Sequence, residues 1–254
     1  MAEPGKPITL ITGASSGIGA ALARRLARDG DHVILVARRL RLLQEVSAEI
    51  VAAGGGCEIA VCDVTVGEAA RSCVSEALRR HGRIDRLILN AGGGGRTPAE
   101  HLTSEEIRAA LELNLFGVVN FIEAALPALL RQGNGQIVAI GSIAGYRGLP
   151  RAASYGAAKA ALMNYIESLR IDMAPKGIWV TLAAPGFVAT KETTKQRAKP
   201  MAMQLDRAAD LLARSILRKR RYVAFPRLLA WIAAIMRLLP AGLYDRLIRA
   251  LDRR

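Results

Sequence analysis

Residues 8–19 read Ile8-Thr9-Leu10-Ile11-Thr12-Gly13-Ala14-Ser15-Ser16-Gly17-Ile18-Gly19, and the helical pattern AALARRLA follows from Ala20. The first five residues are apolar or β-branched at successive positions, as in a strand covered on both faces. The glycines after it permit a sharp turn and a close approach of backbone to ligand. A helix starting there presents unpaired N–H groups and the positive end of its dipole, which together attract a pyrophosphate. The spacing is GxxxGxG rather than GxGxxG. Placement directly after the first apolar strand therefore carries more weight than the glycines alone. Gly13, Ser15, Ser16, Gly17, Ile18 and Gly19 are the first candidate cofactor contacts.

Outward from this turn the same alternation repeats. Strand-like runs recur at 33–37, 58–62, 87–90, 136–140, 180–184 and 222–225, with helical patterns at 17–29, 40–53, 66–81, 103–132, 153–174 and 206–219. Alternation of this kind predicts an α/β fold, a single Rossmann-like doubly wound parallel sheet of about seven strands with helices on both faces. With 254 residues, 51% hydrophobic and 4% aromatic, the chain suits buried strands and close-packed helices and is not disordered as a whole. No Pro-, Gly- or Ser-rich linker divides it. Residues 1–225 read as the catalytic body and 226–254 as a C-terminal helical extension of the same domain. The stretch PGFVATKETTKQRAKP at 185–200 is polar and poorly periodic, and is expected to be a mobile loop near the site. Cys57, Cys62 and Cys73 lack metal-ligand spacing, so no metal is expected, and their odd number points to a reduced, cytoplasmic setting. The N-terminal residues show no signal-peptide pattern.

The residue after the second strand indicates the dinucleotide. An NAD site asks for a carboxylate that accepts from the ribose hydroxyls. Here Val36-Ala37 is followed by Arg38-Arg39, and Arg38 suits a 2′-phosphate, so NADP(H) is expected over NAD(H). Asp63-Val64 follows the third strand, where an acid and an apolar neighbour bracket an adenine; a helix N-cap is an equally good role for Asp63. Asn90-Ala91-Gly92 ends the fourth strand, Asn90 holding backbone and the small residues leaving room.

At the other end of the site, Ser142 follows the fifth strand, and Tyr155 and Lys159 lie four apart in the next helical pattern. Positions i and i+4 share a helix face, so phenol and ammonium converge. Carbonyl reduction leaves an alkoxide that needs an adjacent proton donor. A phenol with a pKa of about 10 needs a nearby cation to lower it toward neutrality. Ser142 then hydrogen-bonds the substrate oxygen.

In combination these residues resemble the short-chain dehydrogenase/reductase family. The shared motifs are Thr12–Gly19 as TGxxxGxG, Asn90-Ala91-Gly92, Asn114 within LNLFG, Ser142, the Tyr155/Lys159 pair, and Pro185-Gly186 with Thr190. The resemblance implies a dehydrogenase or reductase interconverting a ketone or aldehyde and an alcohol. It makes Tyr155 the acid/base, lets Lys159 lower its pKa and bind the nicotinamide ribose, and gives Asn114 a water relay to Lys159. Ile18, Pro185, Gly186, Val188 and Thr190 would line the nicotinamide. Leu89 departs from the commoner form, which has a second Asn there. A homodimer or homotetramer through 103–132 and 153–174 is also implied.

The charge is unevenly placed. Of a net +14, residues 207–254 contribute twelve Lys/Arg against three Asp. Arg227–Leu239 reads RLLAWIAAIMRLL, apolar nearly all round. After Pro240, Leu243, Leu247 and Leu251 line up with Tyr244 and Ile248, opposite a charged side. The uncharged run Leu228–Met236 has nine residues against the about 20 a membrane span needs. Three readings stay open: packing over the cleft or a subunit interface, peripheral attachment to an anionic membrane surface at its inner face, and nucleic-acid binding. No nucleic-acid motif or aromatic platform is present, so a nucleic-acid partner is not expected. Family members with similar C-terminal helices handle lipids and steroids, so the resemblance implies an apolar substrate. The alternative to an enzyme is a catalytically idle chain that keeps the fold and binds nucleic acid or another partner through its basic C-terminus.

Overall fold

The computed structural model describes residues 5–95, 97–189 and 202–252. The strands are β1 (Ile8–Thr12), β2 (His32–Ala37), β3 (Gly56–Val61), β4 (Arg86–Leu89), β5 (Gly135–Ile140), β6 (Ile178–Pro185), β7 (Val188–Ala189), β8 (Met203–Gln204) and β9 (Tyr222–Phe225). Seven form one sheet in the order β3-β2-β1-β4-β5-β6-β9, every neighbouring pair parallel. The expected doubly wound α/β fold is present.

Period-two side chains divide the interior into two cores. Leu10, Val36, Leu87, Leu89, Ile137 and Leu182 belong to one. Ile11, Val33, Leu35, Ile88, Val138 and Ala183 belong to the other. The helices α1 (Gly17–Arg28) and α2 (Leu40–Ala52) close the second core through Leu22, Leu26, Leu43 and Val46. On the opposite side α3 (Gly67–His81) closes the first through Val74 and Ala77.

The run expected as one helix over 103–132 is three pieces. These are α4 (Ser104–Leu111), capped by Thr103 Oγ1 accepting from Glu106 N, a π-turn over Glu112–Phe116, and α5 (Gly117–Gln132). Within the π-turn, Asn114 Nδ2 bonds the Ala110 carbonyl at 2.9 Å. Wide turns of this kind recur at functional sites. By length and composition 104–132 is apolar enough to cross a membrane, but Val118, Phe121, Ile122, Ala125 and Leu129 are in the core.

Next come α6 (Ala153–Met173), α7 (Leu205–Leu217), α8 (Arg227–Arg237) and α9 (Ala241–Asp252). The stretch expected to be a loop over 185–200 is partly strand: β7 pairs with β8, and Met203 N bonds the Phe187 carbonyl at 2.9 Å. Its remainder, Thr190 included, lies outside the described residues. The amino ends of the strands are stapled by polar groups. Asp31 bonds Thr9 and Arg86, while Glu58, beside His32, bonds His81 and Arg80. The carboxyl ends are left open.

Candidate active site

Strand order reverses between β1 and β4, so the connections leave in opposite directions and a crevice forms at the carboxyl ends. A cavity of about 510 Å³ occupies it. Gly13, Ser15, Ser16, Gly17, Ile18, Arg38, Asp63 and Val64 line one part, and Asn90, Ala91 and Gly92 another. Ser142, Tyr155, Lys159, Pro185, Gly186 and Val188 close it. Of the residues expected from sequence and described in the structure, only Gly19 and Asn114 are not on its wall.

The turn is held from behind. Asn90 Nδ2 donates to the carbonyls of Thr12 (3.1 Å) and Gly13 (3.2 Å), while Thr12 Oγ1 accepts from the backbone N–H of Asn90 and Ala91. Gly13 sits at φ +68°, a left-handed conformation costly for other residues. A Cβ on Gly19 would stand 2.4 Å from both Asn90 Nδ2 and the Gly13 carbonyl oxygen. Gly19 therefore serves the turn by letting α1 approach it, rather than by facing the cleft. Thr12, which opens the TGxxxGxG motif, thus has a supporting role that the motif alone does not show.

At the end of β2 the structure adds a second guanidinium. Arg39 Nη2 donates to Ser15 Oγ (3.0 Å) and Ser16 Oγ (2.8 Å) and lines the cavity. Arg38 extends into solvent, its Nη1 3.3 Å from Asp63 Oδ2. The consecutive arginines were the visible signal for both. Asp63 is not the N-cap of the next helix; its Oδ1 accepts from Thr65 N (3.0 Å) and Thr65 Oγ1 (2.8 Å). The Thr65 backbone N–H first, its hydroxyl next and then Arg38 hold the Asp63 carboxyl below its ordinary range.

Tyr155 and Lys159 project from the first turns of α6. Lys159 is buried, its Nζ donating to the Ile140 carbonyl at 2.9 Å and lying 5.8 Å from the Tyr155 ring centroid. Burial pulls the ammonium down to about 8. Tyr155 moves the other way: burial pushes its phenol up, outweighing the hydrogen bond from Ser142 that lowers it. The phenol is thus raised rather than lowered as expected, burial being the larger influence on it. Ser142 Oγ also accepts from Ala144 N at 3.1 Å. Buried Asn114 bonds Gly93 from both sides, Oδ1 accepting from its N–H (3.1 Å) and Nδ2 donating to its carbonyl (2.8 Å). A Cβ on Gly92 would meet Asn114 Oδ1 at 2.8 Å and Lys159 Nζ at 3.1 Å, so Gly92 brings the three together.

The chain is similar to known proteins. The short chain dehydrogenase family profile matches residues 7–201. An "uncharacterized oxidoreductase" of Myxococcus xanthus (strain DK1622) is 37% identical over 252 residues, 99% of this chain and 100% of that protein. A short-chain dehydrogenase from Streptomyces avermitilis superposes with TM-score 0.82 at 28% identity, covering 98% of this chain and 96% of that one. An alcohol dehydrogenase from Thermococcus sibiricus, complexed with 5-hydroxy-NADP, superposes with TM-score 0.78 at 30% identity, covering 87% and 95%. Fold, cleft and sequence agree, and the chain belongs to the short-chain dehydrogenase family of oxidoreductases.

Proposed function

We infer that this oxidoreductase is NADP(H)-dependent and interconverts a ketone or aldehyde with an alcohol on an apolar, lipid-like substrate. The observation that carries the reading is the convergence of Ser142, Tyr155 and Lys159 on one wall of a cleft whose far end bears Arg38 and Arg39. The residues fit the dinucleotide. Ser15, Ser16 and Gly17 would hold its pyrophosphate, and the two arginines its 2′-phosphate. Asp63 and Val64 would bracket the adenine, Asn90, Ala91 and Gly92 would floor the site, and Ile18, Pro185, Gly186, Val188 and Thr190 would flank the nicotinamide. The NADP derivative bound by the Thermococcus enzyme supports this assignment.

When bound, NADP(H) supplies or takes up hydride at the substrate carbon. Ser142 Oγ positions the substrate oxygen. The Tyr155 phenol, protonated near neutrality as an ordinary phenol is and pushed further up by burial, passes its proton to that oxygen, which suits reduction. Lys159, still charged below about pH 8, stabilises the phenolate left behind. Asn114 holds the Gly93 backbone beside Lys159 and would carry the water that relays a proton to it. Residues 1–225 act as the catalytic body. Phe116, Leu130 and Ile171, exposed near α5 and α6, support self-association there as a dimer or tetramer. A cytoplasmic setting completes the reading.

The test is NADPH oxidation across ketones of increasing chain length and ring size, with Tyr155→Phe as the blank. Turnover that rises with substrate apolarity and falls about 10²–10⁴-fold in Tyr155→Phe is expected. Equal oxidation by the two proteins on every ketone overturns the assignment.

A further inference from the structure

A helix on a folded protein ordinarily turns its apolar stripe inward. In α8 the stripe faces out: Leu228, Trp231, Ile232 and Ile235, spaced i, i+3, i+4 and i+7, are all exposed, and Leu238, which caps the helix at i+10, is exposed to 83%. Ala230, on the other side, is buried. The next helix repeats the inversion, with Leu243, Leu247 and Leu251 exposed and Tyr244 buried. Scattered exposed leucines need no explanation, but a stripe continuing over two consecutive helices marks a contact surface.

The stripe is not a frayed end. Arg147, in the loop after β5, donates through Nη1 to the carbonyls of Met236 (2.6 Å), Arg237 (3.2 Å) and Leu239 (2.7 Å), capping α8. Its guanidinium also lies 3.9 Å over the Tyr244 ring, and Tyr244 Oη donates to the Gly148 carbonyl. On the inner side of α8, Leu229 packs against Gly186, so closely that a Cβ there would come within 2.9 Å. Gly186 lines the candidate active site. The helices are therefore latched to one wall of the cleft, with their apolar stripes turned away from it.

Charge selects what covers that surface. Arg218, Lys219, Arg220 and Arg221 are exposed just before β9, and Arg227, Arg237, Arg246 and Arg249 are exposed on the two helices themselves. A second copy docking here would bring the same positive charge against itself. An acidic lipid surface is complementary, and its acyl boundary accepts Trp231 and the leucines while the arginines meet headgroups. At 11 residues α8 is too short to span, since a span needs about 20, so it would lie in the plane of the interface. We propose that the outer face of α8 and α9 is a docking surface for an anionic phospholipid bilayer, holding the active-site cleft beside the lipid. An apolar substrate would then reach Ser142 and Tyr155 from the membrane. That last step rests on the proposed function; the docking does not.

The experiment is co-sedimentation of the full chain with phosphatidylcholine vesicles and with vesicles of equal parts phosphatidylcholine and phosphatidylglycerol, alongside velocity sedimentation without lipid. Binding to the anionic vesicles at least about tenfold tighter than to the neutral ones is expected. The triple variant Trp231→Ser, Ile235→Ser, Leu238→Ser should lose that binding about 100-fold. It should keep wild-type turnover of a water-soluble ketone, since these side chains are outside the cleft. Tyr155→Phe should bind vesicles as wild type does, which separates failure of docking from failure of the chemistry. Wild type left in the supernatant with both vesicles, equal binding to both, or undiminished binding by the triple variant overturns the proposal. So does a lipid-free dimer that the triple variant abolishes, which would give the stripe to a second copy.

Discussion

The turn after β1 and the helix pair after β9 border the same cleft from opposite ends of the chain, yet opposite means hold them. The turn is a dense polar knot in which Asn90 bonds the backbone of Thr12 and Gly13, Thr12 bonds the backbone of Asn90 and Ala91 after β4, and Gly13 and Gly19 leave no room for a methyl group. The helix pair depends on few contacts, chiefly Arg147, Tyr244 and Leu229, and leaves most of its large apolar side chains uncovered. A small set of residues thus specifies the turn almost completely, whereas the helices are specified only in part, the remainder being left to whatever covers them.

The largest effect should come from the wall between these regions. Lys159→Met is expected to cut kcat/KM about 10²–10⁴-fold while leaving stability at neutral pH unchanged or raised, because the buried ammonium is replaced by an apolar chain of similar length. The pH dependence sharpens this. With its pKa lowered from 10.5 to about 8 in the fold, Lys159 binds fewer protons folded than unfolded between those values. Wild-type stability should therefore rise with pH across that window, having been held down below it, and the Met variant should lose the slope. Activity in reduction should fall in wild type as pH rises through about 8. Denaturant titrations at stepped pH beside rate profiles check both; a slope unchanged in the variant would remove Lys159 as its source.

A smaller effect is expected at the turn. Hydrogen bonds to charged groups contribute about 1.5–3 kcal/mol, so Arg39→Asp should shift the NADPH-to-NADH ratio of kcat/KM by about 10–100-fold toward NADH. Arg38→Asp should shift it less, because the Arg38 side chain is 70% exposed and held only by a long contact to Asp63. Equal shifts, or none, would undo the distinction between the two arginines.

The smallest effect should separate the regions most cleanly. Arg147→Ala uncovers three carbonyls at the end of α8 and is expected to cost about 2 kcal/mol. Amide exchange should quicken in α8 and α9 and stay unchanged in the turn. Equal quickening in both would mean that the two regions are not held independently.

What was legible before the structure follows the same division. β1, the glycine turn, Asn90-Ala91-Gly92, Ser142 and the Tyr155/Lys159 pair are each encoded within a few residues, so period and spacing placed them on the right elements. Arg39 was less legible, since its neighbour stood equally near the strand end and only the fold turns one guanidinium onto Ser15 and Ser16. The π-turn at Asn114 was hidden because the run 103–132 keeps its apolar repeat through it. The short β7–β8 pair was hidden because its strands are two residues each, too short to show a period.

By itself the sequence determined the doubly wound sheet and most of the residues that line the cleft, because alternating buried strands and helices have few ways to close and each strand end is local. Two things only the tertiary structure decided. One is the state of the acid and its neighbour: burial sends Tyr155 up and Lys159 down, and burial is a property of everything packed around α6. The other is which way the C-terminal stripes face. Amphipathicity sets that a helix has two sides, but the side that meets the body depends on a distant arginine and its loop, which no helical repeat contains.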